Sequence, residues 1–325
     1  MYFEYALEPE LAASFCADAA GYHACKNAFG IKAQRIISRY PDHWRKLYLE
    51  AFQKLFPAPS FQQQRARDDL QEHLLKRHVK RKAPYAPADT WCNNAARECR
   101  AFFFILVHSN PSKHPSITTI SAVSDLSEKL PEHDGHLKVR RRAEEMSTVL
   151  RPLLLSARHI IFVDPYFKAS GVRFVETYRS LLDIVASRYD KSLVTVELHT
   201  GVEREFKQPK TSRDELIEKK CASEIVEVIE KFRKKLIPEG INFRVVVWQE
   251  LKPCEGRKKC EELHNRYIFT DIGGVMLGHG FDEEMWDRES TDDFICMNSE
   301  KNYQDRWNDY LGSNPAFEKL QEKRL

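Results

Sequence analysis

The sequence predicts an α/β protein built from a mostly α-helical N-terminal domain, residues 1–135, and an α/β C-terminal domain, residues 136–325. Three observations lead to this division. Residues 6–80 show helical spacing of apolar side chains, and from Leu137 onward short apolar runs alternate with helical segments. Pro131–Gly135, between them, is the clearest boundary in the composition.

Amphipathic helices are the main feature predicted for the first half of the chain. In His43–Phe56, Trp44 and Tyr48 lie on one helical face. A second helix is predicted over Arg65–Lys80. It ends in the densest basic run of the chain, Lys76–Lys82.

This basic run allows two interpretations. Cations suit the carboxyl end of a helix, so the run is explained by a solvated helix end. Alternatively Lys80 and Arg81 contact phosphate groups of a nucleic acid or a membrane surface. We therefore keep both residues as candidate ligand contacts.

The end of the N-terminal domain has less periodic sequence. We predict a helix at Trp91–Arg100, a buried strand at Phe102–Val107 and a further strand at Ile117–Val123. The sequence contains no internal repeat. It also contains no second copy of the motif that is described below for Leu263–Asp282.

The C-terminal domain shows the alternation of strands and helices that is typical of a parallel sheet. The predicted elements, in order, are a helix at Leu137–Leu155, a strand at His159–Val163, a helix at Val172–Ser187, a strand at Leu193–Leu198, a helix at Ser212–Leu236, a strand at Ile241–Trp248 and a last helix at Asn302–Leu311.

Polar residues at the ends of two of these strands are candidates for ligand binding. Asp164 and His199 each follow a strand, and ligands of open α/β sheets bind at the carboxyl ends of the strands. Tyr166 follows Asp164 closely. Asp164 before a proline also suits a turn, and His199 also suits a strand cap. Arg141, near the start of the predicted first helix, opposes the helix dipole and is a candidate ligand contact.

The most informative stretch is Leu263–Asp282. Its two apolar runs, Tyr267–Phe269 and Val275–Leu277, flank a Gly-Gly pair and predict a hairpin. Because strand side chains alternate between faces, His264 and Arg266 are expected to project from one face.

This stretch resembles the phospholipase D superfamily, whose signature is His-x-Lys, four residues, Asp, and then a Gly-Ser-x-Asn-like segment. Here the pattern consists of His264, Arg266 and Asp271, followed by Gly278–Phe281 with the letters GHGF. The resemblance implies that His264 attacks phosphorus to form a phosphohistidine, that Arg266 binds the phosphate oxygens and that Asp271 supports a histidine. It also implies substrate contacts at Gly278 and His279.

Two departures from the family pattern bear on activity. Arg266 replaces lysine, and Arg presents a planar fork where Lys presents a point charge. His279 and Phe281 replace the Ser and Asn of the family. The pattern is also similar to the phospholipase-D-like C-terminal domain of MIT-domain proteins, which implies a binding fold without hydrolase activity.

The resemblance covers residues 137–315 and supplies one motif, whereas family enzymes bring two motifs together. Activity therefore implies a homodimer with two copies of His264 facing each other. The leading hypothesis is a metal-independent phosphodiesterase, specifically a nuclease of the kind found in prokaryotic defence systems. The alternative is an inactive module that recognises a phosphorylated ligand, a lipid headgroup or a protein partner. The N-terminal domain is expected to dock a larger assembly.

Composition and charge limit the classes of protein to which the chain is expected to belong. The net charge is only +3, the mean hydropathy is -0.54, and no apolar run approaches the roughly 20 residues of a membrane helix. We expect a cytoplasmic protein without a membrane span, a cofactor or a bound metal. Cys254, Cys260 and His264 lack a fourth zinc ligand. The acidic segment Asp282–Asp293 is expected to be an exposed loop or a partner-binding face.

Overall fold

Both halves of the chain contain a β-sheet with parallel strands, which confirms the α/β class. The computed structural model describes residues 2–30, 32–76, 78–80, 83–130, 135–188, 191–202, 212–251, 262–283 and 292–325. The chain divides into an N-terminal unit ending at His133 and a C-terminal unit beginning at Asp134. This division adjoins the junction placed after residue 135 from the sequence.

A sheet of five parallel strands lies in the N-terminal unit, in the order β3-β2-β1-β4-β5. The strands are β1 (Phe3–Leu7), β2 (Arg35–Arg39), β3 (His78–Lys80), β4 (Phe104–Val107) and β5 (Ile117–Thr119). The helices of this unit are α1 (Pro9–Ser14), α2 (Ala19–Ala28), α3 (Trp44–Leu55), α4 (Phe61–Lys76), α5 (Trp91–Arg97) and α6 (Asp125–Glu128).

The first three strands correct the expectation that residues 6–80 are helical throughout. β1 and β2 are buried on both faces for most of their length, so their sequences lack the alternation that marks a half-buried strand. β3 has three residues, and the helix predicted through Lys80 ends at Lys76. Helix α3, in contrast, closely matches its predicted range.

Aromatic side chains fix α3 against the sheet. Trp44 and Tyr48 stack with ring centroids 5.3 Å apart, and both are fully buried. The indole Nε1 of Trp44 donates a hydrogen bond of 2.7 Å to the carbonyl of Leu7, at the end of β1. The buried indole is thus both packed and hydrogen-bonded.

The C-terminal unit contains an eight-stranded mixed sheet in the order β13-β9-β8-β7-β10-β11-β12-β6. Among the described residues, the parallel pairs of this sheet are β7 with β8 and β8 with β9. The strands are β6 (His136–Arg140), β7 (His159–Val163), β8 (Thr195–Gly201), β9 (Asn242–Glu250), β10 (Arg266–Thr270), β11 (Gly273–Leu277), β12 (Asp292–Met297) and β13 (Phe317–Arg324).

The helices of this unit follow the predicted order with two corrections, the first being that the helix predicted over Ser212–Leu236 is divided into two. They are α7 (Ala143–Ser156), α8 (Val172–Ala186), α9 (Ser212–Lys231), α10 (Arg233–Leu236) and α11 (Glu300–Leu311). The segment predicted as one helix over Leu137–Leu155 begins instead as the edge strand β6. Only Val139 of β6 is buried, so its charged sequence gives no strand pattern.

Each face of the central strands is covered by helices. On one face Ile161 of β7 packs in a cluster with Tyr310 of α11. On the other face Phe162 contacts Tyr178 of α8 at a ring distance of 5.4 Å and Phe281 at 5.7 Å. Buried residues on both faces therefore hold the carboxyl end of β7 in place.

Within the described part of the chain, no helix is long and apolar enough to cross a membrane. The same residues contain no group of three or more His, Cys, Asp or Glu side chains placed to hold a metal ion. The two cysteines considered for zinc, Cys254 and Cys260, lie outside the described residues.

Candidate functional site

The carboxyl end of β7 and the start of β10 meet at one edge of the C-terminal sheet. The two strands are antiparallel, with Val163 opposite Tyr267. Asp164 directly follows β7, and Arg266 is the first residue of β10. This register brings the two polar residues to the same place.

A pocket with a cavity volume of about 180 Å³ opens at this edge. Four permanently cationic side chains and one imidazole face two carboxyl groups, so the pocket has a positive balance. It is lined by Arg141, Asp164, Tyr166, Lys168, Arg173, Phe174, Arg266, His279 and Asp282.

Asp164 is the most deeply buried of these residues, with 1% of its surface exposed. Its Oδ1 accepts a hydrogen bond of 3.1 Å from the backbone N–H of Tyr166. Its Oδ2 is buried and has no hydrogen-bond partner among the described residues. Burial raises the pKa of Asp164 to about 6, although the Tyr166 amide and the charge of Arg266 act against this rise.

Arg266 lies against the ring of Tyr166, with its guanidinium carbon 4.6 Å from the ring centroid. This distance is typical of a cation–π contact. Gly280 makes room on the other side, because a Cβ there would lie 3.2 Å from the Nε of Arg266. Gly280 also has a φ of +105°, which favours glycine. The Nε of Arg266 is buried without a partner in the part of the chain that the structure describes.

Two further arginines are held by one carboxylate. The carboxylate of Asp282 forms an ion pair with Arg141 at 2.8 Å and another with Arg173 at 3.4 Å. The side chains of Arg141 and Asp282 are only 14% and 12% exposed. Asp282 therefore orients both guanidinium groups, and it lies buried rather than in the exposed loop expected from the sequence. Residues 284–291 of that predicted loop lie outside the described residues.

His279 is oriented by a second buried carboxylate, Asp293 at the start of β12. The ring Nδ1 lies 3.2 Å from Oδ1 of Asp293, and the backbone N–H of His279 donates to Oδ2 at 3.0 Å. The ring and the backbone of His279 thus contact the same carboxylate, which fixes the orientation of the imidazole. Gly278 is required here, because a Cβ would approach Oδ1 of Asp293 to 2.5 Å.

His264 lies beside the pocket rather than in its lining. It is in a turn before β10, exposed, so it does not project from the strand with Arg266 as predicted. Its Nδ1 shares a hydrogen bond of 2.7 Å with the hydroxyl of Tyr166. Tyr166 thus contacts His264 through its hydroxyl and Arg266 through its ring.

The family resemblance implies that Asp271 supports a histidine, and the structure places Asp271 at the far end of its strand from the pocket. Asp271 follows the far end of β10, and five residues of strand at roughly 3.3 Å each separate it from Arg266 by about 16 Å. Its Oδ1 accepts hydrogen bonds from the backbone N–H groups of Arg158 at 2.7 Å and His159 at 3.2 Å. Asp271 stabilises the opposite edge of the sheet and does not support His264.

His199 is likewise a structural residue and not a ligand contact. It is 1% exposed, and its Nδ1 accepts a hydrogen bond of 3.0 Å from Nε1 of Trp248. Its Nε2 therefore carries the proton and donates to Glu197 at 2.9 Å. Burial lowers the pKa of His199 despite the neighbouring carboxylate, which keeps the ring neutral at pH 7.

The structure brings together five of the residues singled out from the sequence: Asp164, Tyr166, Arg266, His279 and Arg141. Lys80 ends β3 in the N-terminal unit, and Arg81 lies outside the described residues. The pocket is built from C-terminal residues alone.

Sequence reasoning missed Lys168, Arg173 and Asp293. Lys168 and Arg173 lie in and after the loop that follows β7, so the strand-end argument that found Asp164 extends to them. Asp293 gave no separate signal, because it belongs to an acidic segment that was interpreted as exposed. Neither a protein-family model nor a curated protein sequence matches the chain significantly.

Proposed function

We propose that the C-terminal unit recognises the phosphate group of a ligand in the pocket between β7 and β10. The observation that carries the proposal is the convergence of Arg141, Arg173, Arg266 and Lys168 on one small cavity. Guanidinium groups match phosphate oxygens in geometry and charge, and Asp282 holds two of them in place.

Two buried donors strengthen this proposal. The Nε atoms of Arg141 and Arg266 are buried and have no hydrogen-bond partner among the described residues. A buried polar group without a partner costs about 1–3 kcal/mol. Because both arginines line the pocket, an anion bound there is well placed to satisfy them.

The test is titration of inorganic phosphate into the purified chain by isothermal calorimetry. Arg266→Gln keeps a polar side chain, although a shorter one, and removes its charge. A charge-assisted hydrogen bond contributes about 1.5–3 kcal/mol, so we expect the affinity to fall roughly 10- to 100-fold.

Arg158→Gln is the matched control, because Arg158 is exposed at the opposite edge of the same sheet. Its affinity for phosphate is expected to equal that of the unchanged chain. Equal affinities for the unchanged chain and Arg266→Gln, or an equal loss in the control, contradict the proposal.

A second candidate function is favoured by the environment of His264. Its Nδ1 is engaged by the Tyr166 hydroxyl, which leaves Nε2 as the nitrogen for attack on phosphorus. The motif and this geometry support a metal-independent phosphodiesterase, and a nuclease in particular, working as a homodimer. Among the described residues the hydrogen-bond partner of His264 is a tyrosine hydroxyl and not a carboxylate, which makes this the weaker candidate.

Cleavage of a nucleic acid or of bis(p-nitrophenyl) phosphate in excess EDTA, with light scattering for the mass, tests this candidate. We expect a dimer whose activity disappears in His264→Ala and persists in the exposed-histidine control His136→Ala. A monomer without cleavage, or activity that His264→Ala leaves unchanged, refutes it.

A further inference from the structure

The pocket contains an acceptor as well as donors, and this acceptor makes no hydrogen bond to any residue that the structure describes. Asp164 is 1% exposed, and its Oδ1 is used by the amide of Tyr166. Its Oδ2 is buried and makes no hydrogen bond in the described ranges, although the backbone N–H of Phe281 lies close enough to the carboxyl group to lower its pKa. A site for a fully ionised anion needs only hydrogen-bond donors. An acceptor oxygen such as Oδ2 would be unfavourable there, because its lone pairs would face the lone pairs of the anion's oxygens.

The charged and titratable groups around Asp164 come from several elements. Arg266 on β10 favours the ionised carboxylate, and Asp282 disfavours it. Tyr178 on α8 is fully buried, and its hydroxyl has no partner among the described residues. The other groups that line the pocket are Arg141, Tyr166, Lys168, Arg173 and His279.

We propose that the pocket selects a phosphate group that brings a hydrogen-bond donor with it, and that Oδ2 of Asp164 accepts that hydrogen. The donor is either a hydroxyl on the phosphorus itself, as in inorganic phosphate, or a hydroxyl next to a phosphate ester. The inference rests on the phosphate-binding function proposed above and names the ligand class of the same site.

Inorganic phosphate and sulfate separate this proposal from simple charge attraction. At pH 8 both are tetrahedral dianions, but phosphate carries one proton and sulfate carries none. Phosphate therefore supplies the hydrogen that Asp164 accepts. Sulfate binds well only if Asp164 first takes up a proton from solution.

The free-energy cost of adding this proton depends on the pKa of the Asp164 carboxyl group. Burial raises the pKa of Asp164 to about 6, so at pH 8 proton uptake lowers the affinity by about two factors of ten. We expect sulfate to bind on the order of 100-fold more weakly than phosphate at pH 8. At pH 5 Asp164 is protonated, and the preference for phosphate disappears or reverses.

The experiment is calorimetric titration of the full chain with sodium phosphate and sodium sulfate at pH 8 and pH 5. In Asp164→Asn the side-chain amide offers donors, so the preference at pH 8 is expected to fall below about threefold. An undiminished preference in a folded Asp164→Asn variant overturns the assignment to Asp164.

A measurement on the unchanged chain keeps the proposal falsifiable if that variant does not fold. Titrations at pH 8 in buffers of different ionisation enthalpy report the protons taken up on binding. Sulfate is expected to take up about one proton more than phosphate, because at pH 8 phosphate is mostly the dianion that already carries its hydrogen, whereas Asp164, with a pKa of about 6, is almost wholly ionised and must take up a proton to receive sulfate. Equal uptake for both anions overturns the proposal.

Two organic phosphates distinguish the sources of the donor. Glycerol 3-phosphate carries a hydroxyl beside its phosphate, whereas propyl phosphate has the same length without it. A preference for glycerol 3-phosphate supports the neighbouring hydroxyl, and a preference for phosphate over sulfate alone supports the hydroxyl on phosphorus. Equal binding within both pairs at pH 8 overturns this inference and leaves the phosphate site intact. Binding of no anion by the pocket overturns the proposed function itself.

Discussion

Glu197 is expected to be the buried charge on which the stability of the C-terminal unit depends most. It is 1% exposed on β8, and its carboxylate contacts His159 at 2.6 Å, His199 at 2.9 Å and the guanidinium of Arg244. Burial raises the pKa of Glu197, but hydrogen bonds from the two histidines and from Arg244 outweigh it and hold the pKa well below its usual range.

The perturbation is Glu197→Gln, which keeps the shape and removes the charge. Breaking a buried ion pair from one side costs about 3–5 kcal/mol. The low end applies, because the side chains of Arg244 and His159 are 26% and 28% exposed and the amide oxygen still accepts. We therefore expect the free energy of unfolding to fall by about 3 kcal/mol, or the midpoint temperature by roughly 6–12 °C.

The pH dependence has a definite sign. A carboxyl whose pKa is depressed by folding stabilises the fold above its unfolded pKa of about 4.3 and loses this contribution as the pH falls further. The difference between the unchanged chain and Glu197→Gln should therefore be full at pH 7 and shrink below about pH 4.

Urea unfolding followed by fluorescence measures this difference, with amide hydrogen exchange in β8 assigning the transition to the C-terminal unit. Glu318→Gln is the control, because Glu318 is exposed on β13. A loss below about 0.5 kcal/mol at pH 7, the range of ordinary surface substitutions, refutes the reasoning.

Three further predictions concern single contacts. Gly278→Ala places a Cβ 2.5 Å from Oδ1 of Asp293, so we expect about 1–3 kcal/mol of destabilisation in thermal unfolding, and an unchanged midpoint would contradict this. Tyr166→Phe keeps the ring and removes the hydroxyl that bonds Nδ1 of His264. Phosphate affinity should therefore stay within twofold, while the His264 ring resonances move in NMR spectra. A tenfold loss of affinity would argue against the assigned contacts. Trp44→Phe removes a hydrogen bond to a β1 carbonyl and part of a buried ring, and should lower the stability of the N-terminal unit by about 2–4 kcal/mol in denaturant unfolding; a loss under 1 kcal/mol would count against this packing.

Sequence pattern predicted the elements whose signals are local. The hairpin of β10 and β11 and the strand His159–Val163 follow from apolar runs bounded by turn residues. The short strand β3 and the edge strand β6 carry mostly polar or charged side chains, so no apolar period marks them. Their pairing depends on neighbouring strands that are distant in sequence.

The residues of the candidate site were likewise predictable from the sequence only where their signal is local. Asp164 and Tyr166 were found because strand ends in an α/β sheet point to one edge. Asp271 lies away from the pocket, because a motif records spacing along the chain, whereas its strand carries Asp271 to the opposite edge. The ion pair of Arg141 with Asp282 joins residues 141 positions apart, and no local pattern predicts such a contact.

The most direct test of the phosphate site observes the side-chain Nε–H groups of arginine in ¹H–¹⁵N spectra while inorganic phosphate is added. The account predicts that the Nε–H signals of Arg141 and Arg266 shift together and saturate with one dissociation constant, while that of Arg158 stays in place. Shifts that never saturate, or that affect Arg158 as much as the two pocket arginines, would contradict a phosphate site between β7 and β10.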